Sequence, residues 1–160
     1  MKNNRIPVLL FVLLLLARPA TAEILAKWLG QTVYVPVYSH INVEDRYRGK
    51  PFYLTATLSI RNTDTDKPLT LKYVNYHDSE GVLLQKYLDK PITLGPLGST
   101  HYVIPESEDK GGVGAKFLVE WEATTGVTEP IIESVMIGTR MQQGISFIST
   151  GRIISGSLER

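Results

Sequence analysis

Residues 52–61 alternate without a break. Phe52, Leu54, Ala56, Leu58 and Ile60 fall on one side, and Tyr53, Thr55, Thr57, Ser59 and Arg61 on the other. A period of two, rich in β-branched and aromatic residues, is the pattern of a half-buried strand. Such a strand cannot offset the entropy of its own ordering by its own burial. It needs paired neighbours and an opposing sheet, so this run commits the chain to a layered β architecture.

The flanking segments repeat the theme. Residues 32–38 alternate, with Val33, Val35 and Val37 on one face and Tyr34, Pro36 and Tyr38 on the other. Pro36 has no N–H for a ladder and marks an edge or a bulge. Residues 69–76, 82–88, 91–94 and 99–104 read as further strands. In the first of these, Leu69, Leu71 and Tyr73 oppose Thr70, Lys72, Val74 and Tyr76. Turn clusters at 62–68, 77–81 and 95–98 separate them, their Asn, Asp and Gly suited to local hydrogen bonds and positive φ. Residues 116–123 alternate Phe117, Val119 and Trp121 with Leu118, Glu120 and Glu122. Residues 131–137 and 145–154 complete the set. The segments 39–51, 106–115 and 138–144 read as loops, the second mobile, charged and glycine-rich. With eight or nine short strands and no amphipathic helix, the expected fold is a single antiparallel β-sandwich over residues 23–154. Residues 155–160 read as a disordered tail.

The N-terminus has a different grammar. Lys2 and Arg5 precede an apolar run at residues 6–17, and Ala20-Thr21-Ala22 follows Pro19. Basic head, apolar middle and small-x-small end describe a secretory signal peptide over residues 1–22. Its 12 apolar residues fall short of the roughly 20 that span a bilayer, and no transmembrane segment is expected after cleavage. Cleavage removes three of the 17 basic residues and none of the 16 acidic ones, which turns a net charge of +1 into −2. Such a surface gives no reason to expect nucleic acid, whose phosphates call for Lys and Arg. The expected location is periplasmic or secreted. The chain has no cysteine, so an exported domain of this kind has no disulfide and folds by burial alone.

Three pieces share a recognisable order: residues 54–63 (LTATLSIRNT), 71–84 (LKYVNYHDSEGVLL) and 94–100 (LGPLGST). Together they resemble exported bacterial immunoglobulin- or fibronectin-III-like modules, in which such pieces form successive hairpins of a sandwich. Adding residues 30–39, 117–121, 129–139 and 143–147 makes the mature chain similar to the bacterial exported domain of unknown function 3124 family. That resemblance implies fold and export and transfers no catalytic residue. Some relatives look like lipoproteins; a chain without cysteine has no thiol for such an anchor.

Motifs for chemistry are sparse. His40, His77 and His101 lack the spacing that preassembles two metal ligands, so a periplasmic metal-handling protein using them is the alternative reading. No Gly-x-Ser-x-Gly elbow is present. Glu120 and Glu122 share one face of one strand, whereas glycosidase carboxylates face each other across a substrate. The glycines at 111, 112 and 114 precede no Lys-Ser/Thr and no helix, and so make no phosphate loop. No enzyme and no cofactor are expected.

What remains is surface. Tyr34 and Tyr53 lie opposite the apolar faces of their strands, and tyrosine gives contact area at low entropic cost. Arg140, Gln142 and Gln143, between Gly138 and Gly144, could hold an anionic or peptide ligand. These five residues are the candidate binding surface for an envelope protein or ligand of a non-enzymatic module. Intact-mass analysis of the chain recovered from a bacterial envelope should find a polypeptide beginning at Glu23; a species retaining Met1 would mean an uncleaved anchor.

Overall fold

The structure, a computed structural model, describes residues 26–42, 50–140 and 142–159. The expected signal segment and residues 43–49 of the first loop lie outside them. The described chain is all-β and forms twelve strands: β1 (Lys27–Pro36), β2 (His40–Ile41), β3 (Phe52–Tyr53), β4 (Thr55–Arg61), β5 (Leu69–His77), β6 (Leu83–Lys86), β7 (Ile92–Leu94), β8 (Ser99–Ile104), β9 (Lys116–Thr128), β10 (Ile131–Arg140), β11 (Gln143–Thr150) and β12 (Arg152–Leu158). One sheet runs β12-β1-β9-β5-β6, with β7 on the other half of β5. The second runs β11-β10-β4-β8, and β2-β3 form a short ribbon. Every recorded pairing is antiparallel.

The two sheets form a sandwich. Val33, Val35, Phe117, Val119 and Trp121 from one meet Ala56, Leu58, Ile60, Ile132 and Met136 from the other in a single buried cluster. Ser134, fully buried, donates its hydroxyl to the Pro36 carbonyl of the opposite sheet. In an immunoglobulin constant domain, strand F lies between C and G. Here β9 lies between β5 and β1, while β10 pairs with β4. The first strand therefore occupies the place that the strand following β9 would take in the immunoglobulin pattern.

Pro36 behaves as its chemistry requires. The β12 partnering of β1 stops at the Tyr34–Arg152 pair, so Pro36 pairs with Lys116 alone, and its missing N–H breaks no ladder. The face assignment of β5 is corrected. Leu69, Leu71, Val74 and Tyr76 are all buried, because a register shift between Leu71 and Tyr73 against β9 turns the strand over. A bulge adds one residue and reverses the alternation beyond it.

Three segments read as loops or tail are more ordered than their composition implies. Residues 155–158, expected to be disordered, belong to β12, with Ser155, Gly156 and Ser157 opposite Thr32, Gln31 and Gly30. Backbone pairing needs no apolar side chain, which is why a Ser-Gly-Ser stretch gave no strand signal. Glu159 then accepts from the Gly126 N–H and donates its own N–H to the Lys27 carbonyl. The 106–115 loop is docked. The Gly112 carbonyl accepts from Ser39 N, the Gly111 carbonyl from Ser79 N and Oγ, and the Ala115 carbonyl from Val37 N. Gly112 has φ 76°, and a Cβ at Gly111 would collide with the Tyr76 hydroxyl. The expected 138–144 loop is mostly strand, with β10 running to Arg140 and β11 starting at Gln143, and Gln142 at φ 62°.

The Asn62–Lys67 turn is a buried polar hub. The Asn62 side chain donates to the carbonyls of Lys67, Leu94 and Gly95 and accepts from Asp64 N. Asp64, 3% exposed, accepts from the backbone N–H groups of Thr128, Asp66 and Lys67 and from the Lys27 ammonium at 3.0 Å. The Thr128 and Asp66 N–H groups hold its carboxyl well below the usual carboxylate range. Burial opposes that shift, while Lys27 and Lys67 add to it.

Removing this carboxylate orphans several donors, so Asp64→Ala should cost about 3–5 kcal/mol in urea unfolding. Because the folded-state value is depressed, the stability that Asp64 adds is present in full above its ordinary value of 3.8 and lost as pH falls below it. The wild-type advantage over Asp64→Asn should therefore shrink by up to about 1.4 kcal/mol per pH unit in that acid range.

Candidate functional site

The end of the second sheet carries a groove of about 520 Å³ that brings together two of the sequence-selected residues, Tyr53 and Arg140. Tyr53 is the second residue of β3, where alternation turns Phe52 and Leu54 into the core and leaves the tyrosine 37% exposed. Arg140 closes β10. Its guanidinium donates from Nη1 to the Pro51 carbonyl at 3.0 Å, which ties the hairpin end to the segment entering β3. Gly138 makes the junction possible. A Cβ there would come within 2.6 Å of both the Phe52 ring and the Tyr53 carbonyl oxygen.

The groove is completed by Lys50, Pro51, Phe52, Glu106 and Thr139. Thr139 fell within the candidate 138–144 loop beside Arg140, and the other four were not named as binding residues. Lys50 and Pro51 fell in the 39–51 loop, and Glu106 follows β8, far away in the chain. The signal that could have found Lys50 and Pro51 is their position immediately before the strongest alternating strand. Two cations, one carboxylate and a half-exposed phenol make a rim suited to an anionic or polar extended group. The Tyr53 ring also packs edge-on against His40, with centroids 6.0 Å apart at 65°, as β2 pairs with β3.

The remaining candidates are placed elsewhere. Gln143 pairs with Arg140 across the hairpin and Gln142 is exposed at its tip, beside the groove but not lining it. Tyr34 is on the other sheet, half-buried between Leu118 and Arg152. The three histidines are on three strands. His40 is in β2. His77 ends β5 with Nδ1 3.0 Å from the Gly81 carbonyl, and His101 in β8 stands opposite Ser59. No group of three metal-capable side chains occurs among the described residues.

A second, larger groove of about 620 Å³ crosses the outer face of β1, β9 and β12, with Glu120 and Glu122 on its wall. Both carboxylates are engaged. Glu122 is paired with Lys72 at 3.0 Å. Burial, followed by the charge and hydrogen bond of Glu120, raises the Tyr73 hydroxyl pKa, and a hydrogen bond with Thr32 opposes that. The Tyr76 hydroxyl has no protein partner among the described residues; burial first, then Glu108, push it up to about 12.

Residues 30–154 match the family described as "Protein of unknown function (DUF3124)". No curated protein matches the sequence. Among solved structures, the crystal structure of Thermotoga maritima 1070 superposes with a TM-score of 0.44 at 10% identity, covering 79% of this chain and 97% of that one. That likeness is too loose to carry an argument.

Gly138→Ala places a methyl against the Tyr53 backbone oxygen and should cost about 1–3 kcal/mol. In amide NMR spectra the largest shifts should fall on residues 52–54 and 138–140. Shifts spread evenly over both sheets would show that Gly138 does not set the rim.

Proposed function

The chain belongs to the family of proteins of unknown function DUF3124, and from that premise we propose that it is an exported, non-enzymatic β-sandwich that works by binding a protein or ligand of the bacterial envelope. The observation that carries the binding reading is the rim groove, where Tyr53 and Arg140, selected independently from sequence, converge with Lys50 around about 520 Å³. A carboxylate or an extended backbone rich in carbonyls fits this set. Arginine and lysine supply donors and charge, and the tyrosine supplies a flat contact face. Export is supported by the order of the N-terminal segment, a basic head, an apolar run and Ala20-Thr21-Ala22. The non-enzymatic reading is supported by the carboxylates that chemistry would draw on. Glu122 is paired with Lys72, Glu120 interacts with Tyr73, and both sit on one strand rather than across a cleft.

Residues 23–160, immobilised and exposed to envelope extract, should retain a partner set that Tyr53→Ala and Arg140→Ala each reduce about tenfold, equivalent to about 1.4 kcal/mol. Thermal melts check that both variants stay folded. Undiminished recovery by both folded variants would remove the rim groove as the binding surface.

A further inference from the structure

The edges of the two large sheets are not protected equally. β12 shifts register twice against β1 and begins with Arg152. β6 and β7, side by side along β5, have four and three residues, and Lys86 ends the first. At β8 the Tyr87 hydroxyl donates to the Val103 carbonyl. Bulges, charges, short length and covering groups are the means by which a sheet edge avoids pairing with another chain. β11 has none of them. Its eight residues carry no charge and no proline, and they pair with β10 without a register shift.

The direction of the β11 backbone groups follows from one bond. The Gly151 N–H donates to the Ile132 carbonyl at 2.8 Å. The two residues continue the register of the β10–β11 pair, in which Thr150 stands opposite Glu133. Hydrogen-bonded and non-bonded pairs alternate along an antiparallel ladder. Residues 145, 147 and 149 therefore face β10, and Gly144, Ser146, Ile148 and Thr150 turn their N–H and C=O groups outward. No strand and no backbone hydrogen bond meets that edge among the described residues.

We propose that this edge is a homodimer interface, in which β11 pairs antiparallel with β11 of a second copy and joins the two four-stranded sheets into one. A two-fold axis at Phe147 sets Gly144 opposite Thr150 and Ser146 opposite Ile148, so every outward N–H meets a carbonyl. This is an isologous contact, closed by its own symmetry. Side chains favour the same partner. Val103, Thr57, Val135 and Ile148 form one row across the outer face of the sheet, and Ile148 at its end is 61% exposed. In the dimer Ile148 lies over the small Ser146 of the second copy, toward the exposed Ile137 that pairs with Ser146. The two copies of Ile148 become diagonal neighbours. A charged partner gains nothing from a strand without charges, whereas a copy brings an edge equally uncharged and unbroken. Glu133 and Arg61 on this face are paired with each other at 3.6 Å, so neither repels the approach. None of the outward-facing residues lines the rim groove, and the two readings stand or fall separately.

Sedimentation velocity of the mature chain, residues 23–160, over a concentration series should show a reversible monomer–dimer equilibrium. Ser146→Pro removes an outward N–H and leaves the β10 ladder intact. It should weaken dimerisation at least about tenfold, one unit of log Kd. Ile148→Lys, which sets two like charges diagonally across the interface, should do the same and serves if thermal melts show the proline variant unfolded. The register is read with cysteine, because the chain has none of its own. Opposed residues of a hydrogen-bonded pair lie about 5.5 Å apart at Cα, within disulfide reach, and diagonal ones lie beyond it. An equimolar mixture of Ser146→Cys and Ile148→Cys should therefore oxidise to a mixed dimer that neither variant forms alone. A chain that stays monomeric up to about 1 mM overturns the proposal. So does a dimer that the folded edge variants do not weaken, or cross-linking no greater in the mixture than in the single variants.

Discussion

The Asp64 carboxylate holds one end of the sandwich together. It collects N–H groups from its own turn, an N–H from the end of β9 and the ammonium of Lys27 at the start of β1. Asn62, two residues earlier, binds the carbonyls at the end of β7 and the turn beyond it. One buried turn thus joins the β4–β5 link between the sheets to β1, β7 and β9. A domain without cysteine cannot staple these strands covalently. Charge-assisted hydrogen bonds in a buried site fill that role here, because each donor satisfied by the carboxylate would otherwise be desolvated and unmatched.

At the opposite end of β5 the same task falls to glycine. The 106–115 loop closes over Tyr76 because Gly111 leaves room for the phenol and Gly112 adopts a left-handed φ. Its carbonyls then bind Ser39 and Ser79, which ties β2 and the β5–β6 turn to the start of β9. The composition that suggests mobility is here the condition for close packing. Gly138 acts similarly at the rim, where it lets β10 approach Phe52 and Tyr53. The rim groove is therefore positioned by Gly138 together with the Arg140–Pro51 hydrogen bond.

Two concave features of the described chain differ in chemistry. The rim groove is open and charged and suits a polar or anionic partner. The pocket beside Gln31 and Val33 is small and mostly apolar, with Glu129 on its wall. That pocket depends on the last strand: Gly151, just before β12, and Gly156 within it bring the chain close to Val33, Ile132 and Trp28.

Sequence by itself determined the class of fold and the inward faces of β1, β4 and β9. A period of two is a local property, and burial of Val33, Leu58 and Val119 follows from it directly; in β10, where both faces carry apolar residues, only the structure shows that Ile132, Ser134 and Met136 turn inward. Sequence also picked out Tyr53 and Arg140. It did not show that they would meet, nor that Lys50 and Glu106 would join them while Tyr34 would not. Nor did it show the bulge that turns β5 over, the pairing of Ser155, Gly156 and Ser157, or the sheet position taken by β1. Those outcomes depend on which strands become neighbours. Register and strand order are settled by contacts between residues distant in the chain, and alternation along one strand carries no information about its partner.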